Sequence, residues 1–251
     1  MSSIKGCLSK SARVVLFVTL VGALSSSVHA QVTNLSNGGS INFAYLTTNS
    51  TASVLIGDKL FGNFGFQYTD TTGNTNDFVA PSDLVLSAFS NEIGFGVSIQ
   101  MPLVADGPVI KDLSLQFSVQ VVNSANMISG VELQVVGAAS GLGVANVSET
   151  VSTEGFGAGG IANLAVNFGA NTITPPGGED NVTLSTPQCM LWITKDVIVS
   201  GDPDGYSETN PSQDFATISI IDQTFAQIPE PSTLALLGAG LAGLLIVRRR
   251  N

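Results

Sequence analysis

The sequence predicts an all-β fold: a single antiparallel β-sandwich or jelly roll of about ten strands, flanked by an N-terminal signal peptide and a C-terminal transmembrane helix. Three observations carry this expectation. Apolar residues recur with period two in many short runs, Gly, Pro, Asn and Asp punctuate those runs, and no segment between the termini sustains the roughly 3.6-residue period of an amphipathic helix.

Taken in order, residues 1–30 have the layout of an export signal. Lys5, Lys10 and Arg13 form a basic region, an apolar core follows at 14–24, and Val28-His29-Ala30 offers a small-x-small site for cleavage between Ala30 and Gln31. No cysteine stands at the cleavage site after that core, so lipid attachment is not expected.

The exported body is expected over residues 31–228 as a single domain. Its clearest strand is 111–122, where Leu113, Leu115, Phe117, Val119 and Val121 alternate with Ser114, Gln116, Ser118 and Gln120. That is the pattern of a strand with one buried and one wet face. Similar runs occupy 40–47, 61–68, 84–89, 93–100, 131–136, 146–151, 164–168, 181–184, 190–199 and 214–227. In the last, Ile218, Ile220 and Ile221 break the alternation, which predicts a bulge or a strand covered on both faces. The run at 190–193 is continuously apolar, so Trp192 is expected inside and Cys189 as an inert, buried thiol. Lys195 and Asp196 fall on opposite faces of their strand and are expected to make separate surface contacts.

Charge narrows the function. The body holds three lysines against eighteen acidic residues, a formal charge of −15. Phosphate binding rests on basic clusters, so nucleic acid is excluded as a partner. The acidity itself serves solubility, or suits divalent cations and neutral or cationic glycans. The lone histidine, His29, leaves with the signal segment, which removes Ser-His-Asp, Cys-His and His-ligated metal chemistry. A pair of carboxylates could still cleave a glycosidic bond, but no spacing singles out a pair and Trp192 is the only tryptophan. No catalytic residue is assigned and no enzyme activity is expected.

A metal site without histidine would be built of oxygen, hence Ca²⁺. Asp202, Asp204 and Glu208 are the better candidates, with the acidic loop 70–77 second. Alignment of the former as an EF-hand loop puts Ser200 first and Pro211 last, losing the bidentate Glu. Asp, Asn and Gly are also simply what tight turns prefer. The glycine-rich stretch 155–160 is followed by neither lysine nor helix start and reads as a loop, not a phosphate cradle.

The C-terminal segment, 229–251, has three parts. Pro229, Glu230 and Pro231 bias the chain towards an extended form and insulate the apolar run from the body. The uncharged run from Leu234 to Val247 makes a helix of roughly 21 Å, short of the ~20 residues that a comfortable span needs. Arg248, Arg249 and Arg250 then act as a stop signal, their long stems reaching back to the interface. Pro-Glu-Pro, a short apolar helix and a basic cluster, in that order, resemble the PEP-CTERM sorting signal of Gram-negative exported proteins. That resemblance implies recognition by a membrane-embedded exosortase, cleavage near Pro-Glu-Pro, and residence at the cell surface or in an extracellular polymer matrix. The expected partners are the exosortase, the export machinery, the inner membrane and exopolysaccharide. A calcium-dependent or carbohydrate-binding adhesive module is the alternative for the body, and a carboxylate-based glycan hydrolase is third.

Overall fold

The structure is a computed structural model and describes residues 31–71, 78–123, 126–170, 172–202 and 214–229. In chain order these form β1 (Gln31–Asn34), β2 (Ser40–Asn42), α1 (Phe43–Thr48), β3 (Ala52–Ile56), β4 (Lys59–Asp70), β5 (Val85–Ser90), β6 (Gly94–Asp106) and β7 (Ile110–Val121). They continue with β8 (Asn126–Ser140), β9 (Val144–Ser152), β10 (Ala162–Gly169), β11 (Thr172–Thr174), β12 (Glu179–Gln188), β13 (Met190–Ser200) and β14 (Phe215–Pro229).

The strands make two sheets. One is eight-stranded in the order β1-β3-β4-β7-β13-β9-β10-β11, the other six-stranded in the order β12-β8-β14-β6-β5-β2. All-β character and a two-sheet, sandwich-like arrangement agree with the period-two reading. Three points correct it. Short strands β1, β3 and β11 go beyond the anticipated set, and β1 pairs with β3 in parallel, so the eight-stranded sheet is mixed. The run at 40–47 is not one strand: after β2 it turns into α1. There the Asn42 side chain accepts a hydrogen bond from the Ala44 N–H (2.9 Å), capping a six-residue helix whose Phe43 and Leu46 are buried on one side.

Alternation holds where it was clearest. Along β7, Leu113, Leu115, Phe117, Val119 and Val121 point into the core. Along β14 the inward positions are Ala216 and Ile218, then Ile221 and Phe225, and the register shifts between Ile218 and Ile220 against both neighbours. The extra residue is the bulge that the broken parity predicts. Gly57 opens the two-residue turn between β3 and β4 with φ +59°, a backbone state that suits glycine. Gly96 serves close approach instead: a Cβ there would sit 1.7 Å from the backbone oxygen of Gln223 on β14.

One apolar cluster joins the two sheets. At its centre, Phe61 on β4 lies 6.1 Å from Phe117 on β7 and 5.9 Å from Phe225 on β14, ring centre to ring centre. Phe225 belongs to the facing sheet, so this trio spans the interface. Each fully buried ring contributes on the order of 1.5–3 kcal/mol by leaving water. Among the described residues no helix is long and apolar enough to cross a membrane. Residues 234–247, where a spanning helix is expected, lie outside the described residues. Phe61→Ala should cost about 3–5 kcal/mol, because the void opens between two sheets that cannot both collapse into it. Urea unfolding of the body, with the slope unchanged and the midpoint lowered, checks this.

Candidate functional site

The residues assigned from sequence fall unevenly on the structure. Gln31 opens β1 opposite Ala52, while Ala30 lies outside the described residues. Pro229 ends β14 opposite Asn126 of β8. Glu230, Pro231 and the anchor positions Leu234, Val247, Arg248, Arg249 and Arg250 lie outside the described residues. Asp202 is buried just after β13, and Asp204 and Glu208 lie outside. Among the described residues no three Asp, Glu, His or Cys side chains gather as a metal-binding group.

Where β14 approaches the tail, it is clamped. Gln227 Nε2 donates to both carboxylate oxygens of Asp58 (2.8 and 2.7 Å), which also accept from Asn126 Nδ2 (3.2 Å) and Lys59 Nζ (3.3 Å). Burial acts to raise the Asp58 pKa, but the hydrogen bonds from Gln227 and Asn126 and the Lys59 charge outweigh it, so the carboxyl titrates below its ordinary range. Lys59 is itself fully buried, 5.5 Å from the centre of the Phe95 ring.

A second polar group lies inside the core. On β13 the inward residues are Leu191, Ile193, Lys195, Val197 and Val199, so Lys195 occupies a core position and not the expected surface one. Its Nζ donates to Glu149 Oε2 of β9 and to Gln223 Oε1 of β14. Gln223 Nε2 in turn donates to the backbone oxygen of Glu132 on β8 (2.9 Å). Lys195 and Gln223 have no exposed surface, and Glu149 is 2% exposed. Burial pushes the Lys195 amine down and the Glu149 carboxyl up, each against the opposite charge of its partner. The signal for this cluster was in the sequence. Glu149 follows Ala145 and Val147 and precedes Val151 in strict alternation, and Lys195 sits likewise between Ile193 and Val197.

The outer face of the eight-stranded sheet is lined with amides and hydroxyls. Gln116, Thr194, Thr150 and Asn163 stand in one row across β7, β13, β9 and β10. Trp192, expected inside, is half-buried on this outer face, edge-on to Phe156 with ring centres 4.7 Å apart. Near one end, Ser118, Gln120, Asn63 and Met190 help to line an open depression of about 240 Å³. Cys189, expected as an inert, buried thiol, is half-buried just before β13; the other cysteine, Cys7, lies outside the described residues.

Residues 227–250 match the model of the PEP-CTERM protein-sorting motif. The chain thus carries a PEP-CTERM sorting motif at its C-terminal end. No curated protein matches it. Among solved structures, TmCBM61 in complex with beta-1,4-galactotriose is similar over 66% of this chain and 88% of its own, at 10% identity and a TM-score of 0.28. The enzymatically active domain of bacteriophage CBA120 tailspike protein 4 shares 11% identity over 66% of this chain and 19% of its own, TM-score 0.25. The family 11 carbohydrate-binding module from Clostridium thermocellum, in complex with a beta-1,3-1,4-mixed-linked tetrasaccharide, shares 7% over 64% and 86%, TM-score 0.22. Similarity at this level supports no functional assignment.

The carboxyls outside the core pair set a pH dependence. Burial, then repulsion from Asp196, raises the Asp112 pKa; burial, then Glu179, raises that of Glu132; burial raises that of Asp222. The folded state therefore takes up these protons at a higher pH than the unfolded chain, and stability grows as pH falls from neutral towards the ordinary carboxylate range. Asp58 has the opposite sign, but its contribution is lost only as pH drops below the ordinary value of 3.8. The thermal midpoint of the body should thus be higher at mildly acidic than at neutral pH, and scanning calorimetry across that window checks it.

Proposed function

We propose that this is a non-enzymatic protein of the cell surface or extracellular matrix. It is exported as one passenger unit, residues 31–228, held in the inner membrane by 234–247 and processed by an exosortase at Pro229-Glu230-Pro231. The observation that carries the reading is the sorting-motif match at 227–250, which starts inside β14. The matched segment thus begins within the last strand of the body. The non-enzymatic part is supported by the acid–base cluster at Lys195 and Glu149, which is closed to solvent and offers no route to a substrate.

Association with a neutral exopolysaccharide is supported by the outer face of the eight-stranded sheet. Rows of amides and hydroxyls can exchange hydrogen bonds with sugar hydroxyls, and the edge-on Trp192–Phe156 pair supplies an apolar platform beside them.

Truncation after Ile228 should release soluble protein to the periplasm or medium. Replacement of Pro229, Glu230 and Pro231 by alanine should leave full-length protein in the membrane fraction of a strain with an active exosortase. Truncated protein that still fractionates with membranes would sink the anchoring claim. For the polysaccharide, affinity electrophoresis in the host's own neutral polymer should retard the body, and Trp192→Ala should weaken that retardation about two- to tenfold.

A further inference from the structure

We propose that Lys195 and Gln223 become joined by an intramolecular isopeptide bond, formed by the protein on itself with Glu149 as the proton carrier. The three groups that such a reaction needs, an amine, a primary amide and a carboxyl, meet at one point inside the core. They come from three strands and both sheets. Lys195 lies on β13 and Glu149 on β9 in one sheet, directly opposite each other in register, and Gln223 lies on β14 in the other. Apolar neighbours enclose each: Ile193 and Val197 beside Lys195, Val147 and Val151 beside Glu149, Ile221 and Phe225 beside Gln223.

The hydrogen bonds orient the reaction. Lys195 Nζ contacts the carbonyl oxygen of the Gln223 amide, which holds the nitrogen within reach of Cδ. The same Nζ contacts Glu149 Oε2, the group that must accept its proton. Gln223 is fixed from the far side by Nε2 donating to the Glu132 carbonyl (2.9 Å). Such fixed proximity replaces the encounter of two reactants. Burial favours the neutral amine and the neutral acid, and the neutral amine is the nucleophile.

The step balances without oxidant, reductant or water. The Nζ lone pair adds to Gln223 Cδ, forming the new C–N bond and a tetrahedral carbon. Glu149, as the neutral acid, gives its proton to Nε2 and takes one from Nζ in its place. The Cδ–Nε2 bond then breaks, ammonia leaves, and a secondary amide remains between the two side chains.

An ion pair alone accounts less well for these residues. Two desolvated charges gain little net stability in a core, and Glu149 Oε1 is left with no hydrogen-bond partner. The amide product removes the lysine charge, and it ties β13 to β14 across the two sheets.

The test is mass spectrometry of the full exported chain, reduced and denatured. Cleavage after Phe215 separates β13 from β14. In the wild type, the peptides carrying Lys195 and Gln223 should stay joined, with the loss of one ammonia placed on that pair by fragmentation. Localisation is essential, because cyclisation of an N-terminal Gln31 loses the same mass. Glu149→Gln, close to isosteric, should give two separate peptides at full mass. Separate, unmodified wild-type peptides overturn the proposal, as does a link from Lys195 to Glu149 with loss of water. A Glu149→Gln chain that is still joined overturns the role of Glu149. Should that variant fail to fold by circular dichroism, the wild-type peptides alone decide.

Discussion

Contact between the two sheets is the interaction on which the molecule depends. Neither sheet can bury its apolar face by itself. Phe61, set between Phe117 of its own sheet and Phe225 of the other, marks where the two halves become one core. Every inward position is fixed by that requirement, since a one-residue slip in a strand would turn its whole apolar set towards water. The bulge between Ile218 and Ile220 is the local solution for a strand whose sequence changes parity midway. Gly96, paired with Thr224 further along, lets β6 and β14 approach closely.

The same constraint explains the polar groups inside. Alternation decides which side chain faces the core without regard to its charge, so Lys195 and Glu149 are carried inward by the parity of their apolar neighbours. Once there, they must satisfy each other and Gln223. The Asp58 clamp is different in kind. It lies at the mouth of the β3–β4 turn, is partly open to water, and gathers Lys59, Asn126 and Gln227 around one carboxylate. Its effect is to hold the last residues of β14 against β8 up to the point where the sorting motif takes over.

How much could be read from the sequence depends on how local each signal is. Strand 111–122 and the parity break near Ile220 were legible because both are written within a few residues. The two-sheet architecture was legible from many such runs together. Helix α1 was not, because Ser40 to Thr47 alternates well enough for a strand and the decision rests on the Asn42 cap and the burial of Phe43 and Leu46. β1 was missed because four residues hold too little pattern, and its parallel pairing comes from tertiary placement. The core position of Lys195 was implied by Leu191, Ile193, Val197 and Val199, but a lysine is so seldom buried unpaired that the pattern pointed to the surface until Glu149 and Gln223 supplied the missing partners. Trp192 erred the other way: its bulk suggested the interior, while parity places it outside with Phe156. The sorting motif was legible in full, since it is a string of adjacent residues and needs no fold to be recognised.

The position of β14 in its sheet bears on how the protein would respond to force. It is flanked by β8 and β6, and its last residues, Gln227 to Pro229, stay paired with β8. A pull applied along the strand would load it in shear, so that hydrogen bonds to both neighbours resist together. A tail leaving an edge strand sideways would be peeled away one bond at a time. On the attachment proposed above, a central last strand would set hydrogen bonds to two neighbours against tension along the strand.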